Sequence, residues 1–159
     1  MLLRDSQVLP IWEGTTNVLA LDALRALAGG AALAALQARV DHCLRSVRDA
    51  QLAEAGHTAL NGLARAEVWL RERQGGRSAL ELGARRFALT VGRTFGLALL
   101  VEHAQWSLDR ERDGRARAAA LRFARAGVDM IVEDADLNDT FALANDEPAP
   151  VPQNETLFE

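Results

Sequence analysis

One acidic side chain near the amino terminus has the surroundings of a catalytic base. Glu13 follows Pro10, Ile11 and Trp12 and is followed by Gly14. Apolar neighbours disfavour the charged form of a carboxyl group, so they make the carboxylate a stronger base. Gly14 leaves room for a substrate to approach the backbone. Considered alone, Glu13 could also be an acid at the start of a helix, where the helix dipole favours negative charge.

The residues after Glu13 predict the start of a helix. The hydroxyl of Thr15 or Thr16 can cap it, and apolar residues at helical spacing follow. The first turn of a helix has free N–H groups that favour anions.

This segment resembles the motif near the end of the catalytic region of the acyl-CoA dehydrogenases. In that family an Arg-Asp pair precedes an apolar-aromatic-Glu-Gly-Thr/Ser run that opens a helix. Here the pair is Arg4-Asp5 and the run is Ile11-Trp12-Glu13-Gly14-Thr15. Further on, Leu21-Asp22-Ala23-Leu24-Arg25, Ala84-Arg85-Arg86-Phe87 and Leu99-Leu100-Val101-Glu102-His103-Ala104 are also similar to family sequence, the last two to the helical extension of longer members.

The resemblance implies a reaction and a role for each motif residue. Glu13 would take the α-proton of an acyl-CoA thioester, and the β-hydrogen would leave as hydride to the flavin of FAD. The backbone N–H of Glu13 would bind the thioester carbonyl as negative charge develops there. Trp12 and Gly14 would border the acyl-CoA substrate. Thr15 and Asn17 would contact the phosphate-ribose side of FAD.

The resemblance also implies that this chain is incomplete as an enzyme. The domains that hold most of FAD and of the acyl-CoA in the family have no counterpart here, and no G-x-G-x-x-G motif replaces them. The isolated chain is expected to be inactive, and relatives imply a homo-oligomer. Trp12 stands where many members of the family have Tyr or Phe. Trp at this position is typical of the alkylation-response relatives, which bind DNA. The alternative function is a non-catalytic helical module for subunit packing or DNA binding.

Arginine is the only strongly basic residue type, since the sequence contains no Lys. A basic middle region makes nucleic-acid binding a second possibility, although exposed Arg paired with acids explains it as well. Its members are Arg77, Arg85, Arg86, Arg93, Arg110, Arg112, Arg115, Arg117, Arg122 and Arg125.

No metal site is expected. Asp134, Asp136 and Asn138 have the spacing of the start of a calcium loop, but Asp139 and Asn145 replace the required Gly and Glu. The three histidines lie singly on separate predicted helices. A single cysteine, Cys43, excludes an intrachain disulfide and fits the apolar face of a helix. With no long apolar run and no signal peptide, the expected location is the cytoplasm, with no membrane partner.

The chain is rich in Ala and Leu and predicts an all-α fold, an antiparallel bundle of about five helices. The expected helices start near Thr16 and end at Gly29-Gly30, then cover residues 31–55, 58–73, 78–108 and 115–133. Gly56 is expected to separate the second from the third, and Ser78 and Glu81 to form a capping box. Trp69 and Trp106 are expected in the core, and Gly83, Gly92 and Gly96 to permit close helix packing.

Three regions follow from these patterns. Residues 1–17 would close the dehydrogenase catalytic region, 18–145 would form the bundle, and 146–159 would be an extended or mobile tail. From Ala126 to Glu159 the chain has nine acidic and no basic residues, which predicts a solvated acidic tail.

Overall fold

The computed structural model describes residues 16–73, 76–132 and 142. Within these residues the fold is all-α, as predicted, with five helices and no strand. They are α1 (Thr16–Leu27), α2 (Ala31–Leu44), α3 (Ala50–Glu72), α4 (Arg77–Arg110) and α5 (Arg115–Arg125). The chain bends by 93° between α1 and α2. Gly30 makes this bend possible because its φ of 78° lies in the region that favours glycine.

The long helix α4 lies at the centre of the bundle and contacts all four others. Its 34 residues extend over about 51 Å. Phe87, Leu97 and Val101 on its inner face are completely buried. α3 packs most extensively against this face, and Leu52 and Leu63 are its most enclosed large side chains.

The division between the second and third helices differs from the prediction. α2 ends at Leu44 and Asp49 caps α3, its Oδ1 accepting the backbone N–H groups of Gln51 and Leu52 at 3.0 Å. Gly56 lies inside α3 and is buried. An added Cβ at Gly56 would come 2.9 Å from Leu44 Cδ2, so this glycine permits close packing and does not end a helix.

A buried glutamine of α4 holds the connection between α2 and α3. The Oε1 of Gln105 accepts the backbone N–H groups of Arg48 at 2.8 Å and Asp49 at 3.0 Å. Its Nε2 donates to Asp109 at 3.1 Å. On the other side, Arg117 of α5 donates to the Asp49 carboxylate at 2.9 Å. Asp49 therefore caps one helix and ties it to another.

Asp49 is expected to make the stability of the bundle depend on pH. Hydrogen bonding from Arg117, and then from the Leu52 N–H, holds the pKa of Asp49 below its usual range. Such a group stabilises the fold above its unfolded pKa of about 3.9, and this contribution disappears as pH falls through the folded pKa. In urea unfolding at pH 7, 4 and 3, Asp49→Asn should lose less stability on acidification than the parent chain. An equal loss in both would contradict this, and Asp41→Asn, at an exposed position, is the control.

The predicted capping box at the start of α4 is wrong. α4 begins at Arg77, after Gly76, and has no side-chain cap. Ser78 therefore lies within the first turn. Glu81 accepts a hydrogen bond from Arg77 Nε at 2.8 Å, because the two side chains lie four residues apart on one helix face.

The last helix is shorter than predicted. α5 ends at Arg125, and Gly127 follows with a φ of 74°, so the chain leaves the helix there. Residues 127–131 fold back on the bundle. Thr90 Oγ1 accepts the backbone N–H of Met130 at 2.8 Å, and Arg93 donates to the Gly127 carbonyl at 2.7 and 3.0 Å. The buried Val128 completes this contact.

Two of the single-residue core predictions are confirmed and one is wrong. Cys43 is fully buried, and Trp69 is buried against Phe87 with ring centroids 5.2 Å apart. Trp106 is 48% exposed and stacks on His103 at 5.6 Å. It lies on the face of α4 opposite the core residues.

Some apolar residues of α3 and α1 face solvent. Ala64 and Val68 are exposed, because the buried side of α3 follows Ala59, Leu63 and Ala66. In α1, Val18 is 50% exposed.

A buried hydroxyl in α4 offers a route to a more stable variant. Thr94 Oγ1 has no hydrogen-bond partner within the described ranges, although Thr94 is completely buried. A desolvated hydroxyl without a partner costs free energy, and valine has nearly the same shape. Thr94→Val should raise the free energy of unfolding by about 1 kcal/mol, measured by urea denaturation. A loss of stability would mean that the hydroxyl is satisfied.

Candidate functional site

The structure locates one of the five motif residues. Asn17 lies in the first turn of α1 and is exposed. Trp12, Glu13, Gly14 and Thr15 lie outside the described residues, so the roles predicted for them stay predictions. The calcium-like segment and the tail 146–159 also lie outside.

Asn17 lies in an open groove between α1 and the start of α4. The groove has a volume of about 410 Å³. Asn17 and Leu21 line it from α1, and Glu81, Leu82, Ala84, Arg85 and Arg86 line it from α4. The fold thus brings the predicted FAD contact beside two arginines that are about 70 residues away in sequence.

The groove carries two uncompensated positive charges. Arg85 and Arg86 are exposed and have no ion pair or hydrogen bond in the part of the chain that the structure describes. The negative charge of Glu81 is neutralised by Arg77 at 2.8 Å, which raises the pKa of Arg77. The amino-terminal end of a helix carries a partial positive charge, and α1 begins at Thr16, beside Asn17 of the groove. The groove can therefore bind an anionic group such as a phosphate.

The sequence predicts Arg85 and Arg86 only as members of the general basic region, because nothing in local spacing relates them to Asn17. The available signal was the adjacent pair itself, in a stretch similar to family sequence. Only the packing of α1 on α4 shows that the two positions share a groove.

Three other arginines of the basic region already have partners. Arg115 pairs with Asp113, Arg117 with Asp49, and Arg93 binds the Gly127 carbonyl. Arg110, at the far end of α4, is about 38 Å from Arg85 along the helix.

The buried cysteine lies in a polar network that does not favour nucleophilic chemistry. Arg39 donates to Cys43 Sγ at 2.9 Å and to both carboxylate oxygens of Glu102 at 3.2 and 2.8 Å. Burial raises the pKa of the Cys43 thiol, and the Glu102 carboxylate adds to this effect. Hydrogen bonding from Arg39 lowers the pKa of Glu102. The thiol is thus held in its protonated, unreactive form.

Among the described residues, no group of three His, Cys, Asp or Glu side chains is placed to hold a metal ion. In the same residues, no single helix is long and apolar enough to cross a membrane. α1 and α2 satisfy length and composition only when taken together, across their bend of 93°.

An all-α bundle is the fold expected for a helical carboxyl-terminal domain of the acyl-CoA dehydrogenase class, and comparison with known proteins shows that this is the class of the chain. Residues 31–146 match the family described as Acyl-CoA dehydrogenase 11 C-terminal domain-like, and the chain belongs to that family. It is 41% identical over 110 residues to Acyl-CoA dehydrogenase family member 11 of Caenorhabditis elegans, which covers 65% of this chain. No solved structure matches it.

The matched regions show which part of the resemblance is confirmed. The family match begins at residue 31, downstream of the catalytic-base motif. The chain spans 18% of the length of the Caenorhabditis elegans relative. The activity of a whole dehydrogenase is therefore a proposal for this chain.

Proposed function

We propose that this chain is the carboxyl-terminal part of an FAD-dependent enzyme that desaturates an acyl-CoA thioester. The observation that carries the proposal is the groove in which Asn17 lies beside Arg85 and Arg86. Two guanidinium groups that have no partner among the described residues, together with a helix amino terminus, fit the diphosphate of FAD, because both favour phosphate oxygens. Membership of the family supports the same reaction.

In this proposal the residues of the chain bind, orient and move a proton. Asn17, Arg85 and Arg86 hold the phosphate side of FAD, with Thr15 beside them. Glu13 takes the α-proton of the acyl-CoA. The backbone N–H of Glu13 binds the thioester carbonyl and stabilises the charge that develops there. FAD, when bound, supplies the acceptor for the β-hydride.

The remaining binding surface belongs to other parts of the enzyme. Trp12 and Gly14 would border the acyl-CoA, and the domains that enclose FAD would come from the rest of a longer polypeptide. The chain alone is then expected to be inactive. We also propose that the enzyme is cytoplasmic and, as the family resemblance implies, a homo-oligomer.

The groove can be tested by FAD retention. The longer polypeptide should be purified with and without Arg85→Ala and Arg86→Ala together, and its FAD content measured by absorbance after dialysis. The double variant should retain at least about tenfold less FAD, since two charge-assisted contacts are lost. Arg110→Ala with Arg112→Ala, at the other end of α4, is the matched control. Equal FAD content in all three proteins would contradict the assignment.

The alternative is a helical module without catalytic function, which packs subunits or binds DNA. The ion pairs of Arg115 and Arg117 argue against DNA binding, because the charges of these two arginines are already compensated by Asp113 and Asp49. Salt-dependent retention of the chain on immobilised DNA would support it. Absence of retention at low salt would remove it.

A further inference from the structure

The segment that follows α5 crosses the bundle without forming a helix. It consists of residues 127–131, and we call it the strap. Two polar contacts fix the strap to α4. Arg93 donates to the Gly127 carbonyl at 2.7 and 3.0 Å, and Thr90 Oγ1 accepts the Met130 N–H at 2.8 Å. Because Thr90 precedes Arg93, the strap runs antiparallel to α4.

The strap contacts α3 as well, but it buries little apolar surface. Asp129 forms an ion pair with Arg65 of α3, with 3.5 Å between Oδ2 and Nε. Only two side chains of the strap are buried, those of Val128 and Ile131. A segment with so few buried apolar contacts opens at a much lower free energy than a packed helix.

A hollow lies between the strap and α3. Its volume is about 420 Å³, and it is open to solvent. Residues 127–129 line it from the strap, and Thr58, Asn61, Gly62 and Arg65 line it from α3. The strap is therefore not packed against α3 as closely as the core helices are packed against one another.

A buried hydroxyl disfavours the closed position of the strap. Thr94 Oγ1 has no hydrogen-bond partner in the described part of the chain. A Cβ at Gly62 would lie 2.6 Å from this oxygen and 2.8 Å from Val128 Cγ2, so the hydroxyl and the strap valine meet at the notch beside Gly62. If Val128 lifts away, water can reach the hydroxyl and the cost of its desolvation is recovered.

The end of α5 provides a hinge for this movement. The N–H groups of Ala126 and Gly127 bond to carbonyls of α5, so these two residues belong to the helix end. Gly127 has a φ of 74°, and a Cβ there would have nothing within 4 Å. Rotation at this glycine can therefore lift residues 128–131 without disturbing α5.

We propose that the strap opens as a unit while α3 and α4 stay folded, and that the buried Thr94 hydroxyl biases it toward opening. In the closed position the strap backbone occupies Arg93 and Thr90. In the open position Arg93, Thr90 and Thr94 face solvent along the seam between α3 and α4. The strap thus switches this seam between a sealed surface and a polar surface with a free guanidinium group.

Hydrogen exchange of the 159-residue chain, followed by NMR, tests the proposal without substrate or cofactor, so its outcome is independent of the proposed function. The Met130 amide reports on the strap, and the amide of the fully buried Leu97 reports on α4. Met130 should exchange at least about 100-fold faster than Leu97. Its rate should be nearly independent of urea below the unfolding transition, because opening of the strap exposes little surface.

Two substitutions should shift the opening in opposite directions. Arg93→Met removes both hydrogen bonds to the Gly127 carbonyl and should accelerate Met130 exchange at least about tenfold. Thr94→Val removes the desolvated hydroxyl and should slow Met130 exchange about fivefold. Arg110→Met, at the far end of α4, is the control for the first. Thr94→Ser, which keeps a hydroxyl, is the control for the second and should not slow the exchange.

Three results would overturn the proposal. If Met130 and Leu97 exchanged at the same rate and with the same dependence on urea, the strap would open only when the bundle unfolds. Acceleration of both amides to the same extent by Arg93→Met would lead to the same conclusion. Unchanged Met130 exchange in Thr94→Val would show that the hydroxyl does not bias the strap.

Discussion

Replacing Glu13 by Gln in the longer dehydrogenase polypeptide should slow acyl-CoA desaturation by a factor on the order of 10³–10⁴ and leave FAD bound. The amide has nearly the shape of the carboxylate but cannot accept the α-proton at neutral pH. The backbone N–H at this position is unchanged, so the thioester can still be polarised. The measurement is anaerobic single-turnover bleaching of the flavin absorbance by an acyl-CoA.

A second carboxylate, that of Glu81, provides the control for Glu13. Glu81 lies in the groove beside Arg85 and Arg86 but has no predicted chemical role. Glu81→Gln should keep the rate of flavin bleaching within about twofold of the parent. If the Glu13→Gln enzyme bleached its flavin as fast as the parent, Glu13 would not be the base.

Gly83→Ala should destabilise the bundle by about 3 kcal/mol, the largest stability effect that we expect from a single methyl group. An added Cβ at this position would overlap Cζ2 of the Trp69 ring. Trp69 cannot move aside easily, because it is 3% exposed and stacked on Phe87. The loss of stability caused by overpacking of this kind is larger than the gain of about 1 kcal/mol from alanine's higher helix propensity. Thermal and urea unfolding provide the measurement.

Two other glycines of α4 are the controls for Gly83. Gly92→Ala and Gly96→Ala meet open space, so each should gain about 0.5–1 kcal/mol from helix propensity alone. The three substitutions are chemically identical and lie in one helix. Equal effects at all three positions would show that Trp69 does not pack against Gly83.

These glycines also show how far the sequence predicts the fold. The number of helices and the all-α class follow from composition and spacing, because each helix must bury an apolar face. The division at Gly56 is wrong because glycine has two uses: it ends helices, and it admits a close neighbour within them. Both Gly56 and Gly83 have the second use, because Leu44 packs closely against Gly56 and Trp69 packs closely against Gly83. Neither neighbour can be recognised from local sequence.

In the candidate site, too, local sequence predicts one part, and the other part depends on how the helices pack. The Glu13 motif is local, so a short stretch of sequence suffices to predict its roles. The arginines of the groove could not be predicted, because their distance from Asn17 depends on how α1 packs on α4. The capping role of Asp49 was missed for a simpler reason, since α2 was predicted to continue through it.

The packing of α1 on α4 affects the order in which the groove forms during synthesis. Asn17 is made about 70 residues before Arg86, so at 5–20 residues per second its arginine partners emerge from the ribosome roughly 4–14 seconds later. Until then α1 has no central helix to pack against. The groove is therefore completed only after the first third of α4 has been translated, and a chain interrupted before Arg85 would retain Asn17 without the two arginines.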